Sequence, residues 1–206
     1  MSRRRDDVGD PVPPSPALRL VCHVDATERG GSTASLVTLL GALDPAIDVT
    51  VMGTSREIVD WVAGARPGTS TRVLSPVRSK FDLRSIREHT RAVREIAPDI
   101  LHVNLDNTFT GQYGLLVGAL TGSTTVAVVH SNAPPWRRRQ QWLVRRLARH
   151  VTAYVAVSAA VARTVETFLA MAEGSVRVIH NGADSLAAVA TPAEGSAPVI
   201  GAVGRL

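Results

Sequence analysis

A chain of 206 residues that is 45% hydrophobic and 20% charged is long enough for one folded domain with tails and apolar enough for a substantial core. Its net charge of +5 favours anionic partners such as phosphates, anionic lipid or nucleic acid, without choosing among them. The single cysteine, Cys22, excludes an internal disulfide and fits a reducing cytoplasm; inside an apolar strand it reads as a small buried hydrophobe.

Residues 1–16 carry Arg3 to Arg5, then Asp6, Asp7 and the prolines 11, 13, 14 and 16. No apolar run follows the basic residues, so this opening reads as a disordered tail and not as a secretory signal. From there on, apolar runs alternate with helical patterns. The runs at 18–24, 48–53, 71–74, 99–104, 124–130, 151–158 and 175–180 predict strands. Between them, 32–43, 55–63, 83–96, 108–120, 135–150 and 159–169 predict helices. Strands rich in Val, Ile and Ala, polar only at their ends, suit a parallel sheet covered on both faces. The expected fold class is therefore α/β, a doubly wound, mainly parallel Rossmann-like sheet over 17–186. The longest stretch free of Asp, Glu, Lys and Arg, 107–136, is broken by polar residues and by Pro134-Pro135. It reads as helix, turn and strand, not as a membrane span.

Ligands of doubly wound sheets gather at the carboxyl ends of the strands, which directs attention to those loops. The first strand is followed by Asp25-Ala-Thr-Glu-Arg-Gly30-Gly31 and then Ser32, a good helix N-cap. Two glycines before a helix let backbone N–H groups approach an anionic or hydroxylated ligand, although a tight strand-to-helix turn calls for glycine on its own account. No GxGxxG is present, which speaks against an ordinary dinucleotide site. After the fourth strand, His102 and Asn104 share one face by the period of two, and Asp106 lies beyond the strand end. Asp106 is a candidate ligand for a hydroxyl; equally, these polar groups can satisfy the loop backbone. The fifth strand delivers His130 at its carboxyl end, where an imidazole can bind a hydroxyl, shuttle a proton or serve structure alone. The histidines 23, 102, 130 and 180 lack the close spacing of zinc ligands, and no metal site is expected. Ser158 reads as the N-cap of the last helix. Asn181-Gly182 is a turn signal, and Asp184 can accept hydrogen bonds from that loop.

The segment from Trp136 to Arg149 holds six arginines and no acid. At ~100° per residue Trp136, Leu143, Val144 and Leu147 form an apolar stripe, and Trp142 falls among Arg138, Arg145, Arg146 and Arg149. An exposed tryptophan in an arginine face suits either an anionic membrane interface or a solvated helix whose arginine stacks on the ring. No nucleic-acid module is recognisable, and no nucleic-acid partner is expected.

Residues 187–197 read as a linker and 198–206 as a buried strand opening on a glycine turn, Gly204-Arg205. Asn181-Gly-Ala-Asp184 followed by Val203-Gly-Arg-Leu206 resembles the inter-domain crossover of family 4 glycosyltransferases of the GT-B type. The Gly-Gly loop, the strand-end His130 and the Val157-Ser158 turn fall in the family's order. The resemblance implies the N-terminal, acceptor-side domain of an enzyme that transfers a sugar from a nucleotide sugar with retention, here reaching just inside the donor-binding domain. It further implies no bound metal or other cofactor beyond the nucleotide-sugar co-substrate, while the single cysteine and the arginine-rich helix suit a cytoplasmic place with peripheral contact to the inner membrane face. In the family the Gly-Gly loop lies against acceptor and donor phosphates, which makes Gly30 and Gly31 candidates along with Asp25 and Ser32. His130 becomes the catalytic candidate, and Arg205 a ligand of the donor diphosphate. Asn181, Gly182 and Asp184 are implied as contacts at the crossover, whereas His180 stands where the family has proline. The family's paired glutamates and nucleotide pocket belong to the second domain, so this chain by itself is expected to be inactive. A ligand- or partner-binding α/β domain without catalysis, or an unrelated nucleotide-binding enzyme, are the rival readings.

Overall fold

The computed structural model describes residues 17–79, 82–132 and 138–183. Candidate residues Asp184 and Arg205, the linker, the last predicted strand and Trp136 lie outside them. Thirteen elements follow in the order expected: β1 (Arg19–Val24), α1 (Gly31–Ala42), β2 (Asp48–Gly53), α2 (Arg56–Ala63), β3 (Ser70–Val73), α3 (Leu83–Ile96), β4 (Ile100–Leu105), α4 (Gln112–Thr121), β5 (Thr125–Val129), α5 (Arg138–Ala148), β6 (Ala153–Ala156), α6 (Ala159–Leu169) and β7 (Arg177–Val178). All seven strands are parallel and lie in the order β3-β2-β1-β4-β5-β6-β7. The order reverses between β1 and β4.

Right-handed crossovers explain where the helices lie. Strands added in one direction from β1 place α1 and α2 on one face of the sheet. Strands added in the other place α3, α4, α5 and α6, each packed on the next, on the opposite face. Side chains of β1 alternate accordingly. Val21 joins the core beneath α3–α6, with Leu101, Val103, Ala127, Val129 and Tyr154. Leu20, Cys22 and Val24 join the core beneath α1 and α2, with Leu36, Leu40, Val51 and Ile58. Burial pushes the Cys22 thiol up to about 12, so it is an inert core residue.

Both faces of the sheet carry helices, as expected, but the α1 face is covered only in part. Beyond β4 no helix among the described residues follows α1 on its side. Val126, Val128, Val155 and Val157 are therefore only half-buried, whereas their neighbours Ala127, Val129 and Ala156 are buried. One helix also starts late. α4 opens at Gln112, four residues after the predicted Thr108, because the Asn107 side chain accepts from the Phe109 N–H at 2.9 Å and Thr110 Oγ1 accepts from the Asn107 N–H at 3.0 Å. Gly111, at φ 63°, closes that turn. No helix among the described residues is long and apolar enough to cross a membrane.

Gly53 ends β2 beside the last residue of β1, and a Cβ there would sit 2.4 Å from the Val24 carbonyl oxygen. Neither backbone can yield without disturbing the β1 loop. Gly53→Ala should cost about 1–3 kcal/mol, read as a lowered urea midpoint.

Candidate functional site

The reversal of strand order parts the loops after β1 and β4, and the polar residues predicted for those loops meet there. Asp25, Ala26 and Ser32 from the β1 side and Asn104, Asp106 and Thr110 from the β4 side line a pit of about 80 Å³. Asn104 also opens on to a groove of about 380 Å³ that runs along the α1 side of β4, β5 and β6. Its floor is Val126, Val128, Val155 and Val157, its wall is Leu36 and Leu39, and its polar end holds His102, His130, His180 and Asn181. Two larger hollows, about 440 and 690 Å³, lie among the helices of the opposite face, the first between α5 and α6 and the second between α3 and α4.

Burial raises the Asp25 carboxyl above its ordinary range, and the Gly111 backbone N–H and the charge of His89 act against it. His89 lies below the pit with His23, their rings 5.8 Å apart and both side chains buried. Neither nitrogen of His23 has a hydrogen-bond partner, and burial, followed by His89, lowers it to about 3. The missing Cβ of Gly114, which would fall 2.7 Å from Nδ1 of His23, makes room for that ring. Neither His89 nor Thr110 was marked by the sequence pattern; Thr110 lines the pit from the turn before α4, and His89, on α3, acts on Asp25 by its charge while its Nε2 donates to the Ser75 carbonyl at 2.9 Å.

The Gly-Gly loop differs from expectation in its cap. Ser32 is not the N-cap. Gly30 is, with Ser32 buried in the first turn of α1. Thr33 takes over the capping role, since its Oγ1 accepts from the Gly30 N–H at 2.9 Å and donates to the Gly30 carbonyl at 3.0 Å. Gly30 is extended, at φ −149°, and neither it nor Gly31 has a positive φ. Backbone sterics therefore demand a glycine at neither position, and a Cβ on Gly31 would meet nothing within 4 Å. Arg29 braces the loop against α2, 3.3 Å from Glu57 and over the Trp61 ring at 5.1 Å.

At the end of β5, His130 Nε2 lies 2.9 Å from Asn104 Oδ1, and Asn104 Nδ2 donates to the Ser32 carbonyl at 3.2 Å. Burial lowers His130, with Asp106 opposing. Burial first, then the charge of His130, lowers His102 to about 4, against a hydrogen bond to Asn104. Both rings are thus held neutral near pH 7. Ser131 Oγ donates to the Asp106 carbonyl at 2.8 Å and ties the β4 and β5 loops. The crossover loop is tied as well: Ser35 Oγ donates to Asn181 Oδ1 at 2.9 Å, Gly182 packs on Thr38, and His180 Nδ1 donates to the Val157 carbonyl at 3.1 Å. Ser158 caps α6 as predicted, accepting from the Val161 N–H at 3.2 Å. Among the described residues no group of three or more His, Cys, Asp or Glu is placed to hold a metal ion.

Helix α5 departs from the predicted face in two side chains. Arg145 turns inward, its Nε donating to the Phe168 carbonyl at 2.8 Å, because the end of α6 needs donors for its last carbonyls. Leu143, assigned to the apolar stripe, is 48% exposed beside Trp142 at 62%. Arg146 stacks over the Trp142 ring at 5.5 Å.

Residues 29–185 match the sequence profile of Glycosyltransferase Family 4, and the chain belongs to that family. HepE from Anabaena, solved with UDP, superposes with a TM-score of 0.62 at 17% identity, over 81% of this chain and 44% of its own. The lipopolysaccharide outer core galactosyltransferase WaaB gives 0.58 at 11%, over 87% and 50%. A UDP-N-acetylglucosamine 2-epimerase gives 0.56 at 17%, over 80% and 48%. The chain thus spans about half the length of these solved proteins, and their likeness is one of fold, a Rossmann-like half of a GT-B architecture. No curated protein matches the sequence.

The raised Asp25 has a signed consequence. A carboxyl whose folded pKa lies above its unfolded value of ~3.9 destabilises the fold once pH rises through that unfolded value, because the unfolded chain ionises first. Asp25→Asn should therefore be more stable than the parent at pH 7. In urea unfolding at both pH values, the difference should shrink towards pH 4.

Proposed function

We propose that this domain is the acceptor-side half of a retaining glycosyltransferase, one that moves a hexosyl group from a nucleotide sugar to a hydroxyl acceptor. Family membership names the class, and one observation carries the site: the loops after β1, β4 and β5 converge on one polar pit and groove at the switch point. HepE is solved with UDP and with UDP-glucose, which supports a nucleotide sugar as donor. In the transfer the bond from the anomeric carbon to the phosphate oxygen breaks, a bond to the acceptor oxygen forms, and the acceptor proton leaves. A neutral imidazole at His130 and carboxylates at Asp25 and Asp106 are suited to hydrogen-bonding sugar and acceptor hydroxyls through those changes. Gly31 offers the first N–H of α1 to a phosphate or hydroxyl and the open space beside it admits one, while Gly30, its own N–H taken by Thr33, shapes the loop that holds it. Asn181 and Gly182 shape the crossover, with Asp184 and Arg205 assigned to the donor side. Apart from the donor the reaction is proposed to need no cofactor and no metal.

In an enzyme with its second domain present, His130→Ala should lower turnover ~10²-fold or more while leaving the urea midpoint nearly unchanged. Equal turnover in steady-state assays would reduce the histidine to a structural role.

We further propose that α5 meets an anionic membrane surface, placing the domain peripherally at the cytoplasmic face. Adjacent exposure of Trp142 and Leu143, flanked by Arg146 and Arg149, favours this reading. Each basic residue near an anionic surface contributes on the order of 1 kcal/mol. The chain should co-sediment with anionic vesicles at low salt and be released by added salt, and Trp142→Ala should bind more weakly. Absence of binding at low ionic strength would leave the Arg146–Trp142 stack as a solvated surface feature.

A further inference from the structure

The hydrogen bonds of Asn104 fix more than its own position. Its Nδ2 donates to the main-chain oxygen of Ser32, a group that can only accept, so the orientation of the amide is settled by its partner. Oδ1 is then the atom turned to His130 Nε2, 2.9 Å away. An amide oxygen also only accepts, so Nε2 must carry the hydrogen. In the neutral ring the lone pair is then on Nδ1. That atom is buried and has no protein partner, in a side chain that lines the groove. Asn104 itself is 6% exposed and bridges two elements, β4 and the first turn of α1.

We propose that Asn104 is a positioning residue: its Oδ1 accepts from Nε2, holds His130 as its Nε2–H tautomer and fixes the ring in the wall of the groove. The groups facing His130 do not override this. Asp106, from the loop after β4, favours the charged ring, while burial and neighbouring His102 disfavour charge on this pair of rings. His180, from the loop after β7, lines the same groove with its Nδ1 already engaged by the Val157 carbonyl. The tautomer rests on these hydrogen bonds and not on the proposed catalytic role of His130.

The test uses the 206-residue chain with ¹⁵N-labelled histidine and two-bond ¹H–¹⁵N correlation spectra from pH 5 to 8, with His130→Gln to identify the signals. Above its midpoint, His130 should show a protonated Nε2 and a pyridine-type Nδ1. Asn104→Leu should populate both tautomers and lower the midpoint. Asn104→Asp should keep Nε2–H and raise the midpoint by setting a carboxylate beside it. A wild-type His130 protonated on Nδ1 overturns the proposal. So does an Asn104→Leu chain with tautomer and midpoint unchanged. If that variant does not fold, an unchanged midpoint in Asn104→Asp has the same force. These spectra need no donor or acceptor, so a failure here is distinct from a failure of His130→Ala to affect turnover.

Discussion

Right-handed connection of parallel strands constrains this molecule more than any single contact. Once β1 sits in the middle and later strands are added on either side of it, α1 and α2 must take one face and α3 to α6 the other. The loops after β1 and β4 then leave the sheet towards opposite faces, and a crevice opens between them without any residue having to be removed from the core. Asp25 and Asp106 are 81 residues apart in sequence (106 − 25) and meet only because of that reversal. The in-register pairing of Val24 with Asn104 and of Asn104 with Val128 then sets the depth at which each polar side chain stands.

Much of this was legible in the chain. The alternation of apolar runs and helical periods located the thirteen elements of the described residues, since a buried parallel strand is mainly apolar and a surface helix keeps a polar face. His130 and Asp106 could be placed at strand ends by counting. What periodicity cannot register is a hydrogen bond between distant or competing side chains. The Asn107 and Thr110 turn delayed α4 although the apolar pattern continued through it, and Thr33 displaced Ser32 from the cap because its hydroxyl bonds both polar groups of Gly30. The partnership of Asn104 with His130 comes from the β4–β5 pairing, across 26 positions of sequence, and no local motif announces it.

The glycines show how structure can decide between readings that sequence leaves level. Gly30 and Gly31 fit a tight turn as well as they fit a ligand loop until their dihedral angles are known. With φ values that any residue adopts, and open space where the Gly31 side chain would be, the fold itself gives no reason for glycine there. Gly114 is the opposite case. Its missing Cβ is occupied by the ring of His23, so the requirement is packing and nothing at the site need explain it.

Charge divides the work of recognition. Among the described residues lining the pit and the groove there is no lysine or arginine, and Arg29, on the β1 loop, is held by Glu57 and Trp61. Of the imidazoles that line the groove, His102 and His130 are driven towards neutrality by burial, most strongly His102. Neutral rings and carboxylates recognise hydroxyls well and would repel or ignore a diphosphate. On this wall the groups suited to phosphate are the backbone N–H groups that open α1, with the helix dipole behind them. The proposed role of Arg205 as a ligand of the donor diphosphate would add the cation that this wall lacks among the described residues. On the proposed reading, hydroxyl recognition falls on side chains set by the strand register and phosphate recognition on the backbone that opens α1.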